Sequence, residues 1–142
     1  MLIMKVVIDT SVWISALITK QSAARDVLRM VLKQKIFPQM NETLFLEYES
    51  VMRRRKIKER CPLSEEEVHT LFQSYLSQCT WNEIYYLFRP NLKDENDNFL
   101  IELAVASGSK IIVTYNPKDF DASQLTFDIR VVTPELLIKE YG

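Results

Sequence analysis

The chain has 142 residues, with 18 Lys plus Arg, 19 Asp plus Glu and 47% hydrophobic residues. This composition supplies one buried core and differs from that of a disordered chain. The net charge of −1 argues against a general DNA-coating protein, because neutralising many phosphates needs a large cationic excess.

Strand and helix patterns alternate along the chain. A short, nearly continuous apolar run at 3–8 is typical of a strand buried on both faces. Apolar residues at helical spacing follow Ser22, and Ser64 with Glu67 forms a capping box. The predicted strands lie at 3–8, 36–38, 80–86, 110–114 and 129–132. The predicted helices occupy 22–35 or begin at Asn41, Ser64, Asp94 and Thr133.

Strands separated by helices predict a parallel sheet, because parallel neighbours need long crossover connections. We therefore expect an α/β fold, a sandwich with a parallel sheet of about four or five strands flanked by helices. The chain has no internal repeat, low-complexity segment or linker, so we expect a single domain over residues 1–142.

Scarce residue types exclude several kinds of site. The only glycines are Gly108 and Gly142, so the sequence contains neither a dinucleotide-binding glycine motif nor a P-loop. The single histidine, His69, argues against zinc sites and hydrolase triads, and we assign it to the helix surface or to packing. Two cysteines, Cys61 and Cys79, are too few for a disulfide framework, and we expect both to be reduced.

The N-terminal apolar stretch is too short to cross a membrane, which takes roughly 20 residues. Lys5 and Asp9 interrupt it, and no small-residue cleavage site follows. We expect a cytoplasmic protein without a membrane association.

Carboxylates lie where an open α/β sheet places its sites, outside the carboxyl ends of strands. Asp9 ends the first strand, Asp119 follows the strand at 110–114, and Asp97 lies in the first turn of the helix before that strand. Glu47 lies on or beside the apolar stripe of its helix. Clustered carboxylates repel one another unless a hard cation such as Mg²⁺ or Mn²⁺ neutralises them. The pattern predicts metal-assisted phosphoryl hydrolysis.

Four blocks of sequence resemble the PIN-domain ribonucleases in order and spacing, and the end of the chain is also similar to theirs. The blocks are VIDTSVWI at 7–14, LFLEY at 44–48, DENDNFL at 94–100 and IVTYNPKDF at 112–120, with the ending VTPELL at 132–137. An aspartate after a hydrophobic strand is common by itself, whereas four such blocks in order are specific.

The resemblance implies a three-layer PIN-like sandwich that cleaves single-stranded or looped RNA with a metal-activated water. The implied catalytic residues and ligands of one or two Mg²⁺ or Mn²⁺ ions are Asp9, Glu47, Asp97 and Asp119. The implied supporting residues are Asp94, Ser11 and Asn116. Many compact prokaryotic members of the family are toxins of toxin–antitoxin pairs. We therefore expect a toxin, often a homodimer in this family, with a small antitoxin protein as its partner.

The last block differs from one common form of the family motif. Many members have an aspartate directly after a Thr-Gly pair, where this chain has Tyr115 and Asn116. Others read Thr-x-Asn-x-x-Asp-Phe, which fits here and moves the acid to Asp119. The difference leaves an alternative function, a catalytically silent PIN-like module that binds RNA or a protein.

Each acid also has an ordinary explanation. Asp94 and Asp97 could cap a helix and complement its dipole. Glu47 could be a solvated helix residue, and Asp9 could end its strand in a turn. A receiver-like or phosphatase-like domain is disfavoured, because Asp9 lacks the second acid typical of those sites. The joint pattern, rather than any single acid, predicts the nuclease site.

Basic and aromatic residues suggest where RNA could bind. A basic cluster at the end of the helix that carries Glu47 could hold an RNA backbone or could simply be a solvated helix end. Aromatic side chains could stack on bases, although such residues more often belong to the core. The basic residues are Arg53, Arg54, Arg55, Lys56, Lys58 and Arg60, and the aromatic residues are Trp13, Trp81, Tyr85 and Tyr86.

Overall fold

The computed structural model describes residues 3–83, 95–120 and 128–142, and the side chains of all of these except 95–98. The strands in these ranges are β1 (Lys5–Ile8), β2 (Phe37–Met40), β3 (Thr80–Trp81), β4 (Ile111–Val113) and β5 (Arg130–Val132). The helices are α1 (Thr10–Ile18), α2 (Ala23–Leu32), α3 (Glu42–Met52), α4 (Arg55–Arg60), α5 (Glu65–Gln78), α6 (Glu95–Ser107) and α7 (Pro134–Tyr141).

The five strands form a parallel sheet in the order β3-β2-β1-β4-β5. β1 lies at the centre, where Val6 pairs with Ile111 of β4 and Ile8 pairs with Val113. The chain winds from β1 towards β3 on one side and then crosses back to β4 and β5 on the other. Because parallel crossovers are right-handed, the two winding directions place their helices on opposite faces of the sheet. The predicted parallel α/β sandwich is confirmed.

Both faces of the central strand are covered. Val6, Val7 and Ile8 point alternately to the two faces, and all three are buried. α6 packs across β1, β2 and β4, whereas α2 contacts α1, α5 and α7. No helix that the structure describes has both the length and the apolar character needed to cross a bilayer.

The N-caps predicted for four helices are present. The side chains accept hydrogen bonds from backbone N–H groups in the first turns of α2, α3, α5 and α7, and α5 has a complete capping box. These caps are Ser22, Asn41, Ser64 and Thr133. Asp94, the predicted cap of α6, lies outside the described residues, as does 84–86 of the predicted strand at 80–86.

Two helices differ from the sequence prediction. The sequence pattern predicts no helix at α1, because its apolar residues surround the helix and give no amphipathic stripe. The prediction that the basic cluster lies at the end of the helix that carries Glu47 is wrong for most of the cluster. α3 ends at Met52, Arg54 has an extended backbone with φ −64° and ψ 130°, and a separate helix α4 begins at Arg55. The extended residue breaks the run of helical hydrogen bonds.

A thiol packed against the core and two buried phenols make the stability of the fold sensitive to alkaline pH. Burial raises the pKa of the Cys79 thiol to about 12, and it raises the pKa values of Tyr48 and Tyr75 well above the usual range. In the unfolded chain the pKa of the thiol is about 8.5 and that of each tyrosine is about 10. Above those values the native state keeps protons that the unfolded state releases, so stability falls as pH rises.

We expect the free energy of unfolding to fall by at least about 1 kcal/mol between roughly pH 8.5 and pH 10.5. Urea denaturation across this range measures the change. Cys79→Ala should remove the part of the decrease that begins near the ordinary thiol pKa. A free energy of unfolding that stays constant through this range would contradict the expectation.

Candidate active site

The winding direction of the sheet reverses between β1 and β4, and Asp9 and Thr114 directly follow these two strands. Asp9 donates its backbone N–H to the carbonyl oxygen of Val113 at 2.9 Å, and Thr114 donates its own to Val132 at 2.9 Å. In open α/β sheets, ligands bind outside the carboxyl ends of the strands at such a reversal. The fold therefore places the Asp9 carboxylate in the crevice where a site is expected.

Two hydroxyl groups hold the Asp9 carboxylate. Thr114 Oγ1 donates to Asp9 Oδ2 at 2.7 Å, and Ser11 Oγ donates to the same oxygen at 2.9 Å. Each hydroxyl also accepts a backbone N–H from the loop after β4, Thr114 from Asn116 at 3.0 Å and Ser11 from Tyr115 at 3.1 Å. The loop after β4 is thus tied to Asp9 through two hydroxyls that act as acceptor and donor at once.

The Asp9 side chain does not cap the helix that it precedes. Asp9 is the N-cap residue of α1, yet its carboxylate accepts no backbone N–H of that helix. Among the described residues, its second oxygen, Oδ1, has only a long contact of 3.5 Å with the hydroxyl of Thr10. No salt bridge to a basic side chain involves Asp9 in the described part of the chain. Within the described part of the chain, Oδ1 of the half-buried Asp9 therefore has spare acceptor capacity.

Helix α3, which carries Glu47, is bonded to the end of β1 through the neighbouring residue Tyr48. The Tyr48 hydroxyl donates to the carbonyl oxygen of Ile8 at 2.6 Å, one residue before Asp9. Burial, with a smaller contribution from the Asp9 charge, raises the pKa of Tyr48. Glu47 is half-buried, and α3 contacts both α1 and α6. The helix that carries Glu47 is therefore joined to the end of β1 by the hydrogen bond from Tyr48 to Ile8.

The other two predicted acids are Asp97, of which the structure describes only the backbone, and Asp119, which is exposed. Asp97 lies in the first turn of α6, a helix that contacts α3. The Asp97 side chain is not among those that the structure describes. Asp119 is exposed in the 3₁₀ turn Pro117–Asp119, and Asn116 is exposed just before it. Among the side chains that the structure describes, no three acids, histidines or cysteines lie close enough to hold a metal ion.

The chemistry of the Asp9 oxygens fits a hard divalent cation. Mg²⁺ takes oxygen ligands, is typically bound through one or two carboxylates and keeps several waters. Asp9 offers a carboxylate oriented by hydroxyls, and such outer hydrogen bonds are typical of ligating carboxylates. The role of Asp9, Glu47, Asp97 and Asp119 as a joint metal site stays a prediction.

The aromatic residues predicted to stack on RNA bases differ in their exposure to solvent. Trp13 is fully buried in the core and cannot stack on a base, whereas Trp81 is 51% exposed. Tyr85 and Tyr86 lie outside the described residues. His69 is exposed on α5, in agreement with a surface position.

The basic cluster is exposed, and only part of it is paired. Arg55 pairs with Glu59 at 2.9 Å, and Lys58 pairs with Glu65. The structure gives the other basic side chains no carboxylate partner among the residues that it describes. These are Arg53, Arg54, Lys56 and Arg60.

Sequence reasoning misses two residues of the crevice, Thr114 and Tyr48. Thr114 lies in the block at 112–120 that resembles PIN-domain ribonucleases, without a predicted role of its own. A signal is present, because a polar residue directly after a buried strand, next to the strand that Asp9 ends, would lie beside Asp9. Tyr48 gives no such signal, since a tyrosine on the apolar stripe of a helix is typical of the core.

The sheet order and the position of Asp9 define a doubly wound α/β domain with a carboxylate at its switch point. The family model described as PIN domain matches residues 5–118, and the chain belongs to the PIN-domain family. PIN domains are generally nucleases and typically use divalent metal ions. A search of curated proteins found no match.

Proposed function

We propose that the protein is a divalent-metal-dependent endoribonuclease that hydrolyses RNA phosphodiester bonds with a metal-activated water. The observation that carries the proposal is the Asp9 carboxylate at the switch point, fixed through Oδ2 by two hydroxyls and free of a basic partner in the described part of the chain. A carboxylate oriented in this way, at the site of a nuclease family, is suited to a cation rather than to helix capping.

Asp9, Glu47, Asp97 and Asp119 would hold the Mg²⁺ or Mn²⁺. When bound, such an ion would lower the pKa of a coordinated water and polarise the phosphodiester. The chain itself holds Asp9 in position, because the hydroxyls of Ser11 and Thr114 fix one of its oxygens.

The basic residues after α3 support an RNA substrate. Arg53 and Arg54 directly follow the helix that carries Glu47, and both are exposed without a carboxylate partner among the described residues. Exposed cations offset the repulsion between an acidic site and the nucleic-acid backbone and bind phosphates in a salt-dependent manner. We propose that Arg53, Arg54, Arg55 and Lys56 bind the RNA backbone.

We further propose that the enzyme is the toxin of a toxin–antitoxin pair, acting as a homodimer and inhibited by a small antitoxin protein. This rests on the likeness of the sequence blocks to those of compact prokaryotic PIN-domain toxins. The neighbouring reading frame tests it, because a toxin of this kind requires a gene for its antitoxin beside its own.

Purified protein should cleave single-stranded RNA when Mn²⁺ or Mg²⁺ is present. A chelator should stop the reaction, and excess metal should restore it, because a divalent ion is needed to generate the nucleophile. Gel analysis of an end-labelled RNA measures the products, with single-stranded DNA of the same sequence as the comparison.

Cleavage that continues undiminished with a chelator would remove the metal mechanism. RNA binding without cleavage under either ion would instead favour the catalytically silent module.

A further inference from the structure

One peptide group at the candidate active site is held from both sides. The carbonyl oxygen of Ile8 accepts the Tyr48 hydroxyl at 2.6 Å, and the N–H of Asp9 is donated to Val113 at 2.9 Å. These two atoms belong to the same planar peptide unit. The sheet thus fixes one end of the plane that leads into Asp9, and helix α3 fixes the other.

The Tyr48 hydroxyl donates its proton to Ile8 and accepts a hydrogen bond from Tyr75. Its single proton goes to the Ile8 carbonyl, which has no proton to give, so in the 3.1 Å contact with Tyr75 the donor is Tyr75. Both rings are buried and stack with centroids 5.8 Å apart and planes 11° apart.

Tyr48 is also adjacent to Glu47, the second predicted metal ligand. Glu47 precedes Tyr48 on α3, and a helix residue moves with its neighbours because the backbone hydrogen bonds hold the turn rigid. The bond between Tyr48 and Ile8 therefore links the turn of α3 that contains Glu47 to the end of β1.

We propose that Tyr48 is a positioning residue for metal binding, which orients Asp9 and Glu47 relative to one another without contacting the ion. This inference rests on the proposed function. It predicts that loss of the hydroxyl alone, with the ring kept, weakens metal affinity.

Tyr48→Phe is expected to weaken Mn²⁺ binding by about 10-fold, the lower end of the effect of removing a residue that orients a metal ligand. Titration calorimetry with MnCl₂ on the purified protein measures the affinity without any reaction. Tyr75→Phe is the matched control, because it removes one buried hydroxyl from the same stack and leaves the Tyr48–Ile8 bond intact. Its Mn²⁺ affinity should stay within about 2-fold of wild type.

The double variant Tyr48→Phe, Tyr75→Phe provides a second test. It leaves no unpaired Tyr75 donor in the core, which makes it the safer variant to fold. It should show the same loss of Mn²⁺ affinity as Tyr48→Phe.

The possible failures are distinguishable. Wild-type protein that binds no Mn²⁺ would overturn the proposed function itself. Wild-type protein that binds Mn²⁺, with equal affinity in folded Tyr48→Phe or in the double variant, would overturn only the positioning role. An equal loss in Tyr75→Phe would also overturn it, because the effect would then follow core packing rather than the Ile8 bond.

Discussion

Asp9→Asn is expected to lower the rate of RNA cleavage by about a thousandfold, corresponding to a loss of about 4 kcal/mol of transition-state stabilisation. The amide keeps the size of the side chain but removes the negative charge that would neutralise the metal ion. Single-turnover cleavage of a labelled RNA at saturating Mn²⁺ measures the rate. Because the ion contributes to the chemical step, the loss should persist at high RNA concentration.

The same variant should fold. The amide oxygen of an asparagine can accept the hydroxyls of Ser11 and Thr114 that Asp9 Oδ2 accepts now, with the NH₂ group in place of the weakly bonded Oδ1. We expect the free energy of unfolding to change by less than about 1 kcal/mol. Loss of activity would then report on the site and not on the fold.

Asp26→Asn is a suitable control for this substitution. It makes the same chemical change on α2, where Asp26 is exposed and paired with Arg29. Its cleavage rate should match that of wild type. Asp97→Asn should lose activity as Asp9→Asn does, because the family resemblance makes both residues ligands. Full cleavage by folded Asp9→Asn or folded Asp97→Asn would contradict the metal mechanism.

The sheet is predictable because its signal is local. The apolar run before Asp9 and the run at 110–114 each show a strand buried on both faces, and the carboxyl ends of parallel strands lie at one edge of the sheet. These two patterns are enough to place Asp9 near the start of the loop that leads to Asp119.

The contacts within the crevice are not predictable in the same way. Thr114 reaches Asp9 because Val113 pairs with Ile8, and this register depends on the packing of the whole sheet. Helix α1 escapes prediction because a helix with apolar residues on all sides shows no periodicity. The bond from Tyr48 to Ile8 joins residues 40 positions apart, so only the packing of α3 against β1 reveals it.

Trp13→Ala is expected to lower the free energy of unfolding by about 3–5 kcal/mol, since it opens a large cavity in the core. Trp13 is fully buried, with its ring 5.0 Å from Tyr75, 5.4 Å from Phe72 and 5.9 Å from Tyr48, measured between centroids. At about 2–4 °C per kcal/mol for a domain of this size, Tm should fall by roughly 10 °C. Thermal and urea denaturation measure both quantities.

Two comparisons separate the packing of the Trp13 ring from its polar atom. In the described part of the chain, Trp13 Nε1 is buried without a hydrogen-bond partner. Trp13→Phe removes that unpaired donor along with part of the ring, so its loss of stability should be well below that of Trp13→Ala. Trp81→Ala, at an exposed position, should cost less than about 1 kcal/mol.

A loss below about 1 kcal/mol in Trp13→Ala would contradict the central role of this ring in the core. The ring also packs against Tyr48, which donates to Ile8, and against Tyr75, so Trp13→Ala should loosen their hydroxyl contacts as well. Trp13→Ala should therefore bind Mn²⁺ more weakly at temperatures well below its Tm. That result would show that packing of the aromatic core affects the position of Asp9.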